Sequence, residues 1–291
     1  MATNAHHYYV PNPSPYPFIL SSGLLLLTSG FVFNMNNYAA GSWMMLLGFL
    51  CALYVLFGWF GSIIGESEGG SYTKWEDRSF RIGMIVFISS EVAFFAAFFG
   101  ALFFMRNIAI PELASFDPDF TPYKGFTDAW PSAGPGGVVL GKTYEVAKYE
   151  PMGPWGLPAI NTLILLTSGL TVTWAHWGLI KDNRKQLVLG LFMTVALGVA
   201  FLGLQAYEYH HAYTELGLTL GTGAYGATFF MLTGFHGFHV MLGTIMLIVI
   251  LLRSMKGHFK PDHHFAFEGV AWYWHFVDVV WLLLFVLVYW L

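Results

Sequence analysis

An all-α fold of seven membrane-crossing helices is what this sequence predicts, and three observations carry it. Hydrophobic residues make up 56% of the 291-residue chain. Only 10% are charged, against the share of about 25% usual in soluble domains. Seven stretches nearly free of charge, at 17–34, 41–64, 82–105, 156–180, 187–207, 226–252 and 270–291, reach the roughly 20 apolar residues that cross a hydrocarbon core. The ten-residue alternation of a membrane β-barrel is absent, and lipid offers no partner to backbone amides, so the spans are predicted to be helices.

Taken in order, the first span follows a polar, Pro-rich lead from Met1 to Pro17. That lead lacks the basic start and small-residue cleavage site of a signal peptide and is read as retained. The second span holds Cys51, the single cysteine, which leaves no disulfide framework and no Cys-based zinc site. Between the third and fourth spans, 107–155 is long, polar and rich in Pro and Gly (PSAGPGG at 131–137), and is read as an external lid or docking segment. Small residues recur in GLLLLTSG (23–30) and TGFHGFHVMLG (233–243), where they permit close approach of helices. Trp59, Trp155, Trp174, Trp177, Trp272, Trp274 and Trp290 fall near predicted span ends, a placement that suits the headgroup region. No internal repeat, phosphate loop, metalloprotease helix or nucleophile elbow is evident. Nucleic acid is excluded as a partner by the thin charge and the lack of a basic patch.

Orientation follows from the cations. Lys74, Arg78, Arg81, Lys181, Arg184, Lys185, Arg253, Lys256 and Lys260 share one side of the seven-span topology, while Arg106, Lys124, Lys142 and Lys148 surround the long segment on the other. The positive-inside rule then puts the N-terminus inside and the C-terminus outside.

Ionisable residues within spans are costly and are functional candidates by default. Glu91, surrounded in sequence by Phe94, Phe95, Phe98 and Phe99, lies roughly 13 Å along its predicted helix. It is read either as a proton-exchanging or lipid-contacting acid or as a neutral carboxyl bonded to a neighbouring helix. Asp278 falls at nearly the same predicted depth, with His275 one turn before it, and the two are read as interhelical polar links, as are His236 and His239. Axial ligation of a haem is the alternative for these histidines, but only His176 and His275 match in predicted depth. At the inner surface His6, His7, His258, His263 and His264 gather near Glu66, Glu68, Glu76, Asp77, Asp262 and Glu268. That mixture is either a proton-collecting surface or a solvated rim.

Four blocks of sequence resemble subunit III of the haem-copper oxidases, in particular cytochrome c oxidase. They are RIGMIVFISSEVAFFAAFFGALFF (81–104), LPAINTLILLTSGLTVTWAH (157–176), LQAYEYHHAY (204–213) with YGATFFMLTGFHGFHVMLGTIMLIVILLR (225–253), and HHFAFEGVAWYWHFVDVVWLLLFVLVYW (263–290). The NPSPYPF entry at 12–18 agrees. The resemblance implies a V-shaped bundle of two helices plus five, divided here into 1–66 and 67–291, with lipid in the cleft. It implies a non-catalytic subunit of a respiratory, proton-pumping oxidase, with no catalytic residue, no metal and no redox cofactor in this chain. Haem and copper belong to the partner subunit I, and phospholipids are bound. The matching lipid-contacting positions are Trp59, Glu66, Glu91, Arg253, His258 and His263, and the proton-related ones are Glu91, His6, His7, His258, His263 and His264. The sequence departs from the family pattern at Gly61 and Gly65, where arginines are usual, and at Gly70 and Ser71, where histidines are usual. Trp177 replaces a histidine, and the 215–223 loop is longer than usual. The extended outer segment implies a bacterial form in the inner membrane. The competing function classes are an independent proton or solute carrier, suggested by Glu91 and Asp278, and a haem-bearing cytochrome, suggested by His176 and His275.

Overall fold

The computed structural model describes residues 9–115, 126, 128–134, 138–140, 143–145 and 149–291; His6 and His7 lie outside them. Seven helical spans are long and apolar enough to cross a membrane among the described residues. They are α1 (Tyr16–Met35), α2 (Ala40–Glu68), α3 (Lys74–Phe104), α5 (Leu157–Ile180), α6 (Arg184–Thr214), α7 (Gly223–Lys256) and α8 (Phe265–Leu284). A wide π turn (Met105–Ala109) prolongs α3 into the short α4 (Ile110–Ala114), and a second π turn (Phe285–Trp290) completes the last span. The one extended element described is a hairpin of β1 (Val138–Leu140) and β2 (Thr143–Glu145) in the long segment between the third and fourth spans. The chain divides into two compact units, 1–80 and 81–291.

In the first unit α1 and α2 pair antiparallel across a turn in which Asn37 adopts φ 63°. Asn34 Nδ2 donates to Ser42 Oγ at 2.9 Å to close it. Small residues set the spacing: a methyl group on Gly30 would stand 2.7 Å from Met45 N and 2.8 Å from the Gly41 carbonyl oxygen. No L side chain fits there without the backbones separating. Farther along, Tyr16 stacks on Trp59 at 6.2 Å between centroids. Within the same unit the Tyr72 hydroxyl donates to Glu66 Oε2 at 2.5 Å. Burial, reinforced by that carboxylate, pushes the Tyr72 hydroxyl well above the ordinary tyrosine range, so it stays a donor near neutral pH.

The second unit is built on α5 to α8, where the large side chains are fully enclosed: Trp274, Trp281, Tyr273, Phe201, Phe229 and Phe267. In a bilayer the tails outside are as apolar as the core inside, so close packing and hydrogen bonds hold such a bundle. Trp274 illustrates both. A methyl on Gly198 of α6 would meet its ring at 2.9 Å, and one on Gly243 of α7 would meet it at 2.8 Å, so two glycines form the walls of its slot. Its indole N–H donates to Ser168 Oγ of α5 at 2.9 Å. Trp281 repeats the arrangement with Thr162 Oγ1 at 2.9 Å, and α5 joins α6 through Thr171 and Thr194 at 2.8 Å. Placing Trp274 with the headgroup tryptophans is therefore corrected: its ring is core, and its N–H is satisfied inside the bundle.

Helix ends extend past the apolar stretches. α3 starts at Lys74 rather than 82, and α7 runs to Lys256 rather than 252, because the charged turns continue the helix beyond the hydrocarbon. α7 stops where Gly257 takes the left-handed conformation (φ 85°). There Arg184 Nη2 donates to the carbonyls of Ser254 and Met255 at 2.7 and 2.9 Å, satisfying acceptors the helix end leaves over. At the opposite end of α7 the 130–134 segment caps its start: the amides of Ala224 and Tyr225 donate to Ala133 and Ser132 carbonyls, each at 3.0 Å.

Candidate functional site

The site begins at Glu91 on α3. Its Oε2 lies 2.8 Å from His239 Nε2 on α7. The other ring nitrogen, Nδ1, donates to its own helix at the Phe235 carbonyl, 2.6 Å away. With the Nδ1 proton committed, one further proton must lie on the Glu91–His239 contact, since two lone pairs would otherwise face each other. Either a carboxylic acid donates to imidazole or imidazolium donates to carboxylate, and in both states the pair is neutral overall. Rings enclose it: Phe95 is edge-on to His239 at 5.0 Å, Tyr273 stacks at 6.4 Å, and Phe94 packs on Phe235 at 5.0 Å. Only a tenth of the His239 side chain and a fifth of Glu91 remain exposed. Glu91 is thus paired with His239 and not with Asp278, its depth-mate by sequence.

A second constellation lies where the first part of α3, the last turns of α5 and the start of α8 meet. Arg81 Nη1 pairs with Glu268 Oε2. The other carboxylate oxygen faces His264 Nε2 at 3.0 Å and His176 Nε2 at 3.9 Å, and the two ring nitrogens lie 3.4 Å apart. His264 Nδ1 donates to the Lys260 carbonyl at 3.0 Å, which turns Nε2 toward the acid. One donor atom from each of His176, His264 and Glu268 falls within 4.8 Å of the others, a set of imidazoles and carboxylate able to hold a divalent transition metal. Arg81 already balances the carboxylate, and one shared proton satisfies the same atoms, so the geometry demands no ion. His176 thereby meets His264 rather than His275.

The remaining sequence-predicted positions separate. His236 is fully buried and donates from Nε2 to the Val277 carbonyl of α8 at 3.2 Å. His275 meets Thr173 Oγ1 of α5 at 3.2 Å and Asp278 Oδ2 at 3.6 Å. Arg253 lies over the Phe259 ring at 4.6 Å; His258 is half-buried and His263 exposed, its backbone bridged to Lys260. Trp59 and Glu66 sit in the first unit, on Tyr16 and Tyr72 as described. One buried acid was missed: Glu208 of α6 is fully enclosed, with Oε1 accepting from Tyr289 at 2.6 Å. Ending the fifth span at 207 had left it in the loop.

Fold and site together define an integral membrane protein of the polytopic α-helical class, whose ionisable groups are engaged with one another between helices. The sequence profile described as cytochrome c oxidase subunit III matches residues 6–291. The cytochrome c oxidase subunit 3 of Dugong dugon is 40% identical over 291 residues, spanning 100% of this chain and 99% of that protein. Those of Ornithorhynchus anatinus and Latimeria chalumnae are each 42% identical over 293 residues, with the same coverage. The chain belongs to the cytochrome c oxidase subunit III family, whose members are subunits of an oxidoreductase complex.

Proposed function

We propose that this chain is the non-redox membrane subunit of a proton-pumping cytochrome c oxidase that supports proton uptake, binds phospholipid and prolongs the working life of the catalytic subunit. On this reading subunit I, bearing haem and copper, is the principal partner, with further oxidase subunits beside it. The chain resides in a bacterial inner membrane with its N-terminus in the cytoplasm and its C-terminus in the periplasm. The cation distribution supports the orientation, and the extended 107–155 segment supports the bacterial assignment. Trp59, Glu66, Glu91, Arg253, His258 and His263 are the proposed lipid contacts. Arg253 and the histidines suit phosphate at the inner headgroup level. Glu91, His258, His263 and His264, with His6 and His7, are the proposed proton-exchanging groups; no residue is assigned to catalysis or metal binding.

The observation that carries a supporting role is the neutral Glu91–His239 pair. It stores a proton inside the bundle, tied to two helices at once, and adds no net charge to the low-dielectric interior. The oxidase purified with and without this chain provides the test. Loss of the chain is expected to leave early turnover intact, shorten the number of turnovers before inactivation and slow proton uptake. Unchanged lifetime and unchanged uptake would overturn the proposal. Reconstituted alone, the chain is expected to give no substrate-dependent flux; measurable flux would favour an independent carrier.

A further inference from the structure

The enclosed acid Glu208 belongs to a polar layer in the core of the four-helix part of the second unit. The layer follows from the one built around Trp274, where Ser168 of α5, Gly198 of α6 and Gly243 of α7 meet that ring. Seven residues, close to two turns, return a helix to nearly the same face. Seven back along α5 and α7, and seven on along α6 and α8, stand Asn161, His236, Gln205 and Trp281. Their contacts agree with that register. His236 packs on the Trp281 ring at 5.1 Å, and the Trp281 N–H reaches Thr162, the residue after Asn161. Glu208 lies one turn beyond Gln205 on the same helix, and Tyr289, 5.8 Å from Trp281 between ring centroids, donates to its Oε1.

Where the Trp274 layer is closed by glycines and one indole, this layer is polar and incompletely bonded. Asn161, His236 and Glu208 expose none of their surface and Gln205 only 6%. No hydrogen-bond partner among the described residues reaches Asn161 Nδ2 and Oδ1, Gln205 Nε2 and Oε1, His236 Nδ1 or Glu208 Oε2. Gln205 lies close enough to Glu208 and Tyr289 to interact with both, yet short of hydrogen-bond geometry. Each such atom, buried and unbonded, costs about 1–3 kcal/mol, so six in one layer call for an occupant that bonds them.

The atoms themselves describe the occupant. His236 Nε2 donates to the Val277 carbonyl, so its Nδ1 offers a lone pair and needs a donor. The two amides offer NH2 groups and need acceptors as well as donors. A metal or alkali cation satisfies acceptors alone, whereas water both donates and accepts and is held where two to four polar partners converge.

We infer that Asn161, Gln205, His236 and Glu208 bind a cluster of water molecules in the bundle core, through which the Glu208 carboxyl exchanges its proton. This is a proton-exchanging site distinct from the Glu91–His239 pair, and it does not depend on the subunit role proposed above.

The first test is a structure of the intact membrane complex at a resolution that shows ordered water. Density for water bonded to Gln205 and Glu208 is expected. Side chains turned directly onto one another with no water between them, or an anomalous signal at this layer after thallium replaces the alkali cations, overturns the inference. The second test follows hydrogen–deuterium exchange in the infrared, reading the Glu208 carboxyl as the C=O band that Glu208→Gln removes. The band is expected to shift in D2O, and Gln205→Leu, which takes away two of the bonding atoms, is expected to slow the shift several-fold. A wild type without that band, a band that does not shift, or one that shifts as fast in Gln205→Leu overturns it.

Discussion

Glu91 and His239 share one proton, and the two partners respond differently to replacement. Glu91→Gln keeps a donor for the His239 lone pair and removes the exchangeable proton. Assembly is therefore expected to be preserved while proton uptake or lipid retention changes. Wild-type uptake and lipid content in the purified variant would leave the carboxyl with a structural role alone. His239→Leu removes the partner and leaves the Glu91 carboxyl largely enclosed without a hydrogen bond, a change that costs about 1–3 kcal/mol. Its expected signature is a lowered melting temperature of the complex in detergent that Glu91→Gln does not reproduce. The sequence made Glu91 visible as a charged residue among phenylalanines, but it hid the partner. Counted from predicted span ends, Glu91 and His239 lay at different depths. Counted from the true helix ends, Lys74 and Lys256, each is seventeen residues along, roughly 25 Å, and their meeting follows.

At the scale of elements, hydropathy identified the spans because a hydrocarbon core tolerates little else, but it could not identify their ends. Polar turns continue a helix at no penalty once they reach water, and Glu208 was lost to the same boundary error. Nor could composition distinguish a tryptophan at the membrane interface from one in the core. Trp274 is held because α6 and α7 each offer a glycine to its ring, a juxtaposition three helices wide that no local pattern encodes. Gly198→Leu is expected to drive α6 from Trp274 and to destabilise the bundle by about 1–3 kcal/mol, the usual cost of overpacking. Trp274→Phe removes only the N–H to Ser168, whose hydroxyl still donates to the Leu165 carbonyl, and part of one ring, and is expected to cost about 1–2 kcal/mol from the lost hydrogen bond and the smaller ring. Thermal unfolding of the detergent-solubilised complex ranks the two. A Gly198→Leu variant as stable as wild type would show that the slot is looser than its 2.9 Å clearance implies.

For the whole molecule, the distribution of cations bears on how seven helices enter the bilayer. Nine of the 13 Lys and Arg residues flank the links between α2 and α3, α5 and α6, and α7 and α8. The opposite set of links carries the rest, crowded around one segment long enough that its charge has little influence on insertion. On the proposed orientation, with these cations inside, the α7–α8 link places Asp262 in the cytoplasm and the α6–α7 link places Glu215 in the periplasm. The single cysteine makes this measurable, since Cys51→Ser gives a thiol-free background. In that background Asp262→Cys is expected to react with a membrane-impermeant maleimide only in inverted vesicles, and Glu215→Cys only in right-side-out ones. The reverse labelling would invert the topology and move His258, His263 and His264 to the outer surface, where they could not collect cytoplasmic protons. Labelling of both sites from one side would break the seven-span count itself, because an odd number of helix crossings is what separates successive links across the membrane.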